Sequence, residues 1–197
     1  MGLVVLLVGA AYACGSLPTG VWLARLAGVD VRRSGSGNIG ATNVARTAGL
    51  RLGLLTLLGD LAKGLAPVLL ARVLVTDARA LACVGLAAFF GHIYSVFLRF
   101  SGGKGVATAC GVFIGLAPLA VGVCVLVFAA IAFTTRYVSL ASMAAAATLP
   151  VVTVVLHQPA PVSTAALIVA VLIVVRHRDN LSRLRAGTER KFGAREP

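Results

Sequence analysis

The chain has 197 residues, of which 59% are hydrophobic and only 12% charged, and its mean hydropathy is +0.97. Soluble domains carry about 25% charged residues, so this composition excludes a water-soluble globule and leaves no room for a separate soluble domain. Eighteen Lys and Arg against six Asp and Glu give a net charge of +12, but with no soluble basic domain to present it, nucleic acid is not an expected partner.

Apolar runs of near-spanning length predict transmembrane helices at about Leu3–Leu26, Leu50–Leu74, Arg79–Phe97, Val106–Gly115, Leu119–Phe133, Val138–Leu156 and Val162–Val175. The first run ends its opening stretch in AYAC, which superficially suggests cleavage or lipidation at Cys14. A signal peptide needs positive charge before its apolar core, and here the arginines follow it. The fourth run is short, and Pro118 separates it from the fifth. One kinked span from Val106 to Phe133 would give six crossings; seven is preferred, because 28 residues at about 1.5 Å each overshoot one membrane. Seven crossings put Arg25, Arg32, Arg33, Arg46, Arg51, Arg99, Lys104, Arg136 and the tail basic residues from Arg176 to Arg195 on one side. Only Arg72 and Arg79 fall on the other. The positive-inside rule makes the basic side cytoplasmic. The expected fold is therefore an all-α integral membrane protein of about seven transmembrane helices, N-terminus outside and C-terminus cytoplasmic. It forms a single membrane-embedded domain over residues 1–197. No internal repeat is visible, which weighs against transporters built from duplicated halves.

Polar segments interrupt the apolar pattern. The first, VRRSGSGNIGATNVAR at Val31–Arg46, mixes Gly35, Gly37 and Gly40 with Ser36, Asn38, Thr42, Asn43 and Arg46. Small residues allow a tight backbone that offers N–H donors, and arginine matches phosphate oxygens, so the segment suits an anion. It is not a Walker loop, since no GK[ST] follows. In α-helical register Asp60 and Lys63 of the second run share a face and can pair. RFSGGKGVAT at Arg99–Thr108 sets Gly102, Gly103 and Gly105 around Lys104, directly before a helix start that can receive an anion. Upstream, His92 reads as a structural hydrogen-bonder or a catalyst. Ser139 and Ser142 lie three apart in TTRYVSLAS, where packing is the reading by spacing alone. In the tail His177 and Asn180 are also three apart, and Arg183 with Glu189 could brace that segment. Cys14, Cys83, Cys110 and Cys124 stand in apolar runs without a CxxC pair and read as small hydrophobes; no metal or cofactor is expected.

The ordered set GSGNIGATNVAR (Gly35–Arg46), DLAKG (Asp60–Gly64), GHIYSVFLRFSGGKGVAT (Gly91–Thr108) and RHRDNLSRLRAGTERK (Arg176–Lys191) resembles the acyl-phosphate:glycerol-3-phosphate acyltransferases, the PlsY family, over nearly the whole chain. The resemblance implies transfer of a fatty acyl group from acyl phosphate to the 1-hydroxyl of glycerol 3-phosphate. The products are lysophosphatidic acid and inorganic phosphate, in the first acylation of bacterial phospholipid synthesis. It implies a multi-pass enzyme of the bacterial inner (plasma) membrane, in contact with membrane lipid, with its site at the cytoplasmic face and a soluble partner enzyme that makes the acyl phosphate. It places Ser36, Arg46, Lys104, Ser142, His177 and Asn180 around glycerol 3-phosphate and the reacting carbonyl, with Gly37, Asn38, Thr42, Asn43, Gly102, Gly103 and Gly105 lining the acyl-phosphate site. Arg46 and Lys104 would hold phosphates; Ser36 and Asn180 would position hydroxyls or stabilise the oxyanion. His177, His92 and a substrate phosphate are the candidate proton acceptors. The phosphate is favoured, because no carboxylate follows His92, His157 or His177 in an HxxxxD arrangement. The competing class is a small transporter of anions or lipid phosphates. Against it, no polar path other than Asp60 and Lys63 leads from the polar face to the opposite one.

Overall fold

A computed structural model of the chain describes residues 1–193; Arg195, counted above among the tail arginines, lies outside them. Among the described residues the structure is helical: α1 (Gly2–Gly15), α2 (Thr19–Leu26), α3 (Ala41–Ala48), α4 (Leu50–Leu74), α5 (Ala78–Ile93), a 3-10 turn (Val96–Leu98), α6 (Val106–Leu116), α7 (Pro118–Thr135), α8 (Val138–Val155), α9 (Ala160–Arg176) and α10 (Arg178–Arg185). Helix occupies all seven predicted apolar runs, the first interrupted at Ser16–Pro18 and the third at Tyr94–Ser95. By length and composition five stretches can each cross a membrane, namely Gly2–Leu26, Leu50–Leu74, Ala78–Leu98, Pro118–Thr135 and Val138–Val155. A sixth is possible where α9 and α10 join at a 55° bend. Helix α6 has eleven residues, about 16 Å at 1.5 Å each, half of a ~30 Å hydrocarbon core. Helices α3 and α10 were not anticipated, because each has only eight residues and lies in a polar segment.

The chain divides into two compact units, Met1–Leu116 and Ala117–Pro197, the second described as far as Gly193. In the first, α1 packs on α5, α4 on α6, and α3 lies against α4. Lipid gives helices no hydrophobic reason to associate, so close van der Waals contact through small residues must do so. Gly15 and Gly91 make the α1–α5 crossing: a Cβ on Gly15 would overlap the Ala88 carbonyl, and one on Gly91 the Tyr12 carbonyl. Gly64 and Gly111 do the same for α4 and α6, against the carbonyls of Thr108 and Leu61. In the second unit α8 packs between α7 and α9, and α10 touches both α8 and α9.

Two prolines break backbone bonding in the first unit, and polar side chains from neighbouring helices supply the missing partners. Pro18 separates α1 from α2, leaving Ser16 and Leu17 outside both. Their carbonyls accept from Ser95 Oγ at 2.5 Å and Lys63 Nζ at 2.7 Å. Pro67 in α4 has no N–H for the Lys63 carbonyl, which instead receives a weak donation from Cys14 Sγ at 3.7 Å. Lys63 pairs with Asp60 at 2.8 Å, as their spacing predicts. Thr19 Oγ1 donates to Asp60 at 2.5 Å. The two charges are 5% and 3% exposed in the middle of a membrane-spanning helix.

Removing one member of this pair strands the other in a low-dielectric interior, at a cost of about 3–5 kcal/mol. Asp60→Leu is therefore expected to lower the melting temperature in detergent sharply, while Asp60→Leu combined with Lys63→Met recovers most of the loss. Equal damage in the single and double variants would contradict this.

Candidate active site

The Ser34–Arg46 segment folds around one side chain. Asn43, in the first turn of α3, is buried; its Nδ2 donates to the carbonyls of Val31 (3.0 Å), Ser34 (3.1 Å) and Asn38 (2.8 Å). Its Oδ1 accepts from the Ser36 N–H at 2.9 Å. The turns that deliver these groups need left-handed backbone at Gly35 (φ +62°) and Gly37 (φ +71°), and a Cβ on Gly35 would overlap Asn43 Oδ1. The N–H groups of Gly37 and Gly40 bond within the segment, to Ser34 O (3.1 Å) and Asn38 Oδ1 (2.8 Å). The side chains that face outward are Ser36, Thr42 and Arg46, the last two four apart on one face of α3. Asn43 thus acts as the scaffold of the segment, and the N–H groups of Gly37 and Gly40 are engaged within it.

The Lys104 segment is held as firmly. After the 3-10 turn, Arg99 and Phe100 take left-handed conformations (φ 51° and 61°), fixed by Phe100 N–H to Ser95 O at 2.8 Å. Gly102 N–H then bonds Ile93 O (3.0 Å) and Gly103 N–H bonds His92 O (3.2 Å). Gly105 (φ +81°) lies against the Phe89 ring, and α6 begins at the next residue. The first turn of a helix has N–H groups without intrahelical partners and carries partial positive charge, so half-buried Lys104 adds a full charge to a local positive field. A Cβ on Gly103 would come within 3.2 Å of Ile39 Cγ1, so the two glycine-rich segments are neighbours. His92 is buried beneath them, its Nδ1 3.0 Å from Thr108 Oγ1 and 3.7 Å from Asp60 Oδ1.

In the second unit Glu189 organises the predicted residues. Its Oε1 accepts from Ser139 Oγ (2.6 Å) and Asn180 Nδ2 (2.5 Å), and its Oε2 pairs with Arg183 Nε (2.7 Å). The tail continues to Phe192, whose N–H bonds Arg136 O at 2.7 Å while the Arg136 guanidinium donates to Phe192 O. Ser142 Oγ donates to Val138 O in its own helix (2.8 Å), the packing arrangement its spacing suggests. His177 Nδ1 lies 2.8 Å from Ile173 O. A carbonyl only accepts, so Nδ1 carries a proton and is the donor of this bond.

In the first unit the structure gathers Ser36, Gly37, Asn38, Thr42, Asn43, Arg46, Gly102, Gly103, Lys104 and Gly105 into adjoining segments. In the second it gathers Asn180 with Ser139 and Glu189, with His177 at the junction of α9 and α10. Sequence reasoning did not single out Thr19 or Thr108. A lone threonine inside an apolar helix carries no spacing signal; only the partner across the bundle reveals it.

Residues 5–187 match the family model for glycerol-3-phosphate acyltransferase. The glycerol-3-phosphate acyltransferase of Geotalea daltonii is 53% identical over 189 residues, covering 96% of this chain and 97% of that one. That of Rubrobacter xylanophilus is 48% identical, covering 97% and 96%. A crystal structure of PlsY (YgiH), described as an integral membrane glycerol 3-phosphate acyltransferase in its glycerol 3-phosphate form, matches with a TM-score of 0.93. It is 42% identical and 96% of each chain is covered. The lysophosphatidic acid form of PlsY matches at 0.91, also 42% identical, covering 96% of this chain and 95% of that one.

Burial opposes the charge on Glu189, but the hydrogen bonds from Ser139, Asn180 and Arg183, with the Arg183 charge, outweigh it and hold its pKa below the usual glutamate value. A carboxylate with a lower pKa folded than unfolded stabilises the fold above its unfolded pKa, and that contribution is lost as pH falls through the folded value. Glu189→Gln is thus expected to melt below the parent by a constant margin from pH 7 to 5. The margin should shrink only as pH drops beneath the ordinary glutamate range of about 4.3. A margin unchanged in acid would contradict the ionised brace.

Proposed function

Because the chain belongs to the glycerol-3-phosphate acyltransferase family, an integral membrane enzyme family of phospholipid synthesis, we propose that it uses acyl phosphate as its acyl donor and makes lysophosphatidic acid and inorganic phosphate. The 1-hydroxyl oxygen of glycerol 3-phosphate attacks the acyl carbonyl. The bond from that carbon to the phosphate oxygen breaks, and the hydroxyl proton leaves with a phosphate. Both substrates carry a phosphate, so the reaction needs cations and oriented donors for two anions. The observation that carries this reading is the closeness of Ile39 to Gly103, where an added Cβ would come within 3.2 Å of Ile39 Cγ1, so that the Ser36–Arg46 and Gly102–Gly105 segments, each carrying a cation, are neighbours.

Arg46 and Lys104 hold phosphate oxygens, and exposed Ser36 and Thr42 add hydroxyl donors beside them. Asn38 lines the donor site, Asn43 keeps the segment folded, and Gly37, Gly102, Gly103 and Gly105 give the backbone its tight turns. Within the second unit, Ser142, His177 and Asn180 are the residues proposed to contact substrate, with Asn180 oriented by Glu189. A mixed anhydride has a good leaving group, so positioning and electrostatic stabilisation of the developing oxyanion supply most of the acceleration. No covalent acyl-enzyme is required. His177 rests its Nδ1 on a backbone carbonyl rather than a carboxylate, and His92 is buried against Thr108. A substrate phosphate, titrating near pH 6, takes the proton instead. The chain crosses the membrane of a bacterial cell with its N-terminus outside, a reading that counts the eleven-residue α6 as a crossing although it is about half the length of the hydrocarbon core. The basic segments and the site then face the cytoplasm, where a soluble enzyme supplies acyl phosphate.

Purified protein in detergent is expected to form lysophosphatidic acid from labelled glycerol 3-phosphate and acyl phosphate, and none from acyl-CoA. Arg46→Ala and Lys104→Ala should each lower kcat/KM by about 100-fold, the loss of a charged phosphate contact worth about 3 kcal/mol. Turnover of acyl-CoA, or full activity in both variants, would refute the donor and the residue assignments respectively.

A further inference from the structure

His92 is not used by the chemistry above, yet it is 3% exposed at the end of a membrane-spanning helix, where a polar ring is costly unless its partners need it. Those partners flank Lys104. On the N-terminal side the His92 carbonyl accepts the Gly103 N–H at 3.2 Å, and the ring sits so close to Gly103 that any Cβ there would overlap Nε2. On the C-terminal side Nδ1 lies 3.0 Å from Thr108 Oγ1, in the first turn of α6. His92 therefore holds the chain just before Lys104 through its carbonyl and again four residues after it through its ring. Asp60 Oδ1 lies behind the ring, 3.7 Å from the same nitrogen and beyond hydrogen-bond distance. Asp60 is in turn held by Lys63 at 2.8 Å and Thr19 at 2.5 Å, so it cannot follow the ring if the ring moves.

We propose that His92, packed against Gly103 and joined to Thr108, is a positioning residue that fixes the backbone from which Lys104 reaches a substrate phosphate. This rests on the reading of Lys104 as a phosphate ligand. Neither His92 nor Thr108 touches substrate; both act through Lys104. A misplacement of about 1 Å in a positioning group lowers rate by about 100-fold, so a device built from buried contacts is in proportion to what it protects.

The test uses the full chain in detergent, with kcat and KM measured for glycerol 3-phosphate and for acyl phosphate, and a melting temperature for each variant. Thr108→Val keeps the side-chain shape and removes Oγ1, whereas Thr108→Ser keeps Oγ1. Thr108→Val and His92→Gln are expected to lower kcat/KM by about 10- to 100-fold. The KM they raise should be that of the same substrate whose KM Lys104→Ala raises, and the Thr108→Val melting temperature should stay within a few degrees of the parent's. Thr108→Ser should recover most of the activity. In a Lys104→Ala background, Thr108→Val should cost less than about threefold more, since residues acting through one group are not additive. Parent-like kcat/KM in Thr108→Val and His92→Gln beside an impaired Lys104→Ala would overturn the proposal and leave the Lys104 reading standing. So would equal losses in Thr108→Val and Thr108→Ser. Full activity in Lys104→Ala would remove both ideas together. Should His92→Gln fail to fold, the Thr108 pair decides alone.

Discussion

The first unit depends on an ion pair that has no business in the middle of a membrane helix unless something holds it. Asp60 and Lys63 each cost about 2.5–3.5 kcal/mol to insert singly, and their mutual contact repays this only when the remaining donors and acceptors are also met. They are met here by a helix that breaks at the right place. Pro18 opens the backbone between α1 and α2, the Leu17 carbonyl takes Lys63, and the Thr19 hydroxyl reaches Asp60. Each defect supplies what the other lacks. The same carboxylate lies beside His92, so the buried charge is connected, contact by contact, to the segment that carries Lys104.

Glycine sets the distances at which this works. Gly64 lets α6 approach α4 until the Thr108 carbonyl is in contact, which brings Thr108 within reach of His92. Gly15 and Gly91 bring α1 and α5 together next to the Ser16–Ser95 bond. In lipid, close backbone approach through small residues is the main source of helix association, and it also brings short polar side chains into bonding range. Packing and polar organisation therefore have one cause.

The chemistry suits such a scaffold. The acyl phosphate donor proposed for this chain is already activated and asks little of a base or nucleophile and a great deal of geometry. The polar segments accordingly direct many of their hydrogen bonds inward. Asn43 closes the Ser36 turn, the carbonyls of Ile93 and His92 hold Gly102 and Gly103, and Glu189 ties Asn180 to Ser139 and Arg183. What remains outward, Ser36, Thr42 and Arg46 above all, is a small set of donors and cations on a rigid base. That arrangement favours binding and orienting anions over forming covalent intermediates.

Composition determined that this chain lives in a membrane, and the spacing of its apolar runs located its apolar helices to within a few residues, because burial in lipid demands apolar helices. Helix α6 is nevertheless too short to cross alone, and the first run breaks at Pro18. The motifs Gly35–Arg46 and Gly91–Thr108 marked the candidate site, since glycine and cations are conspicuous in so apolar a sequence. The Asp60–Lys63 pair was legible from helical register alone. The division of labour among the polar residues was not. Asn38 and Asn43 look alike in sequence, yet Asn43 is the buried hub of its segment; Thr108 looks like any threonine in an apolar helix until Gly64 and His92 surround it. Helices α3 and α10 are amphipathic pieces too short and polar to announce themselves. Hydropathy and motif are properties of the chain and can be read along it; which way a side chain turns depends on a partner tens of residues distant, and only the folded structure brings that partner within 3 Å.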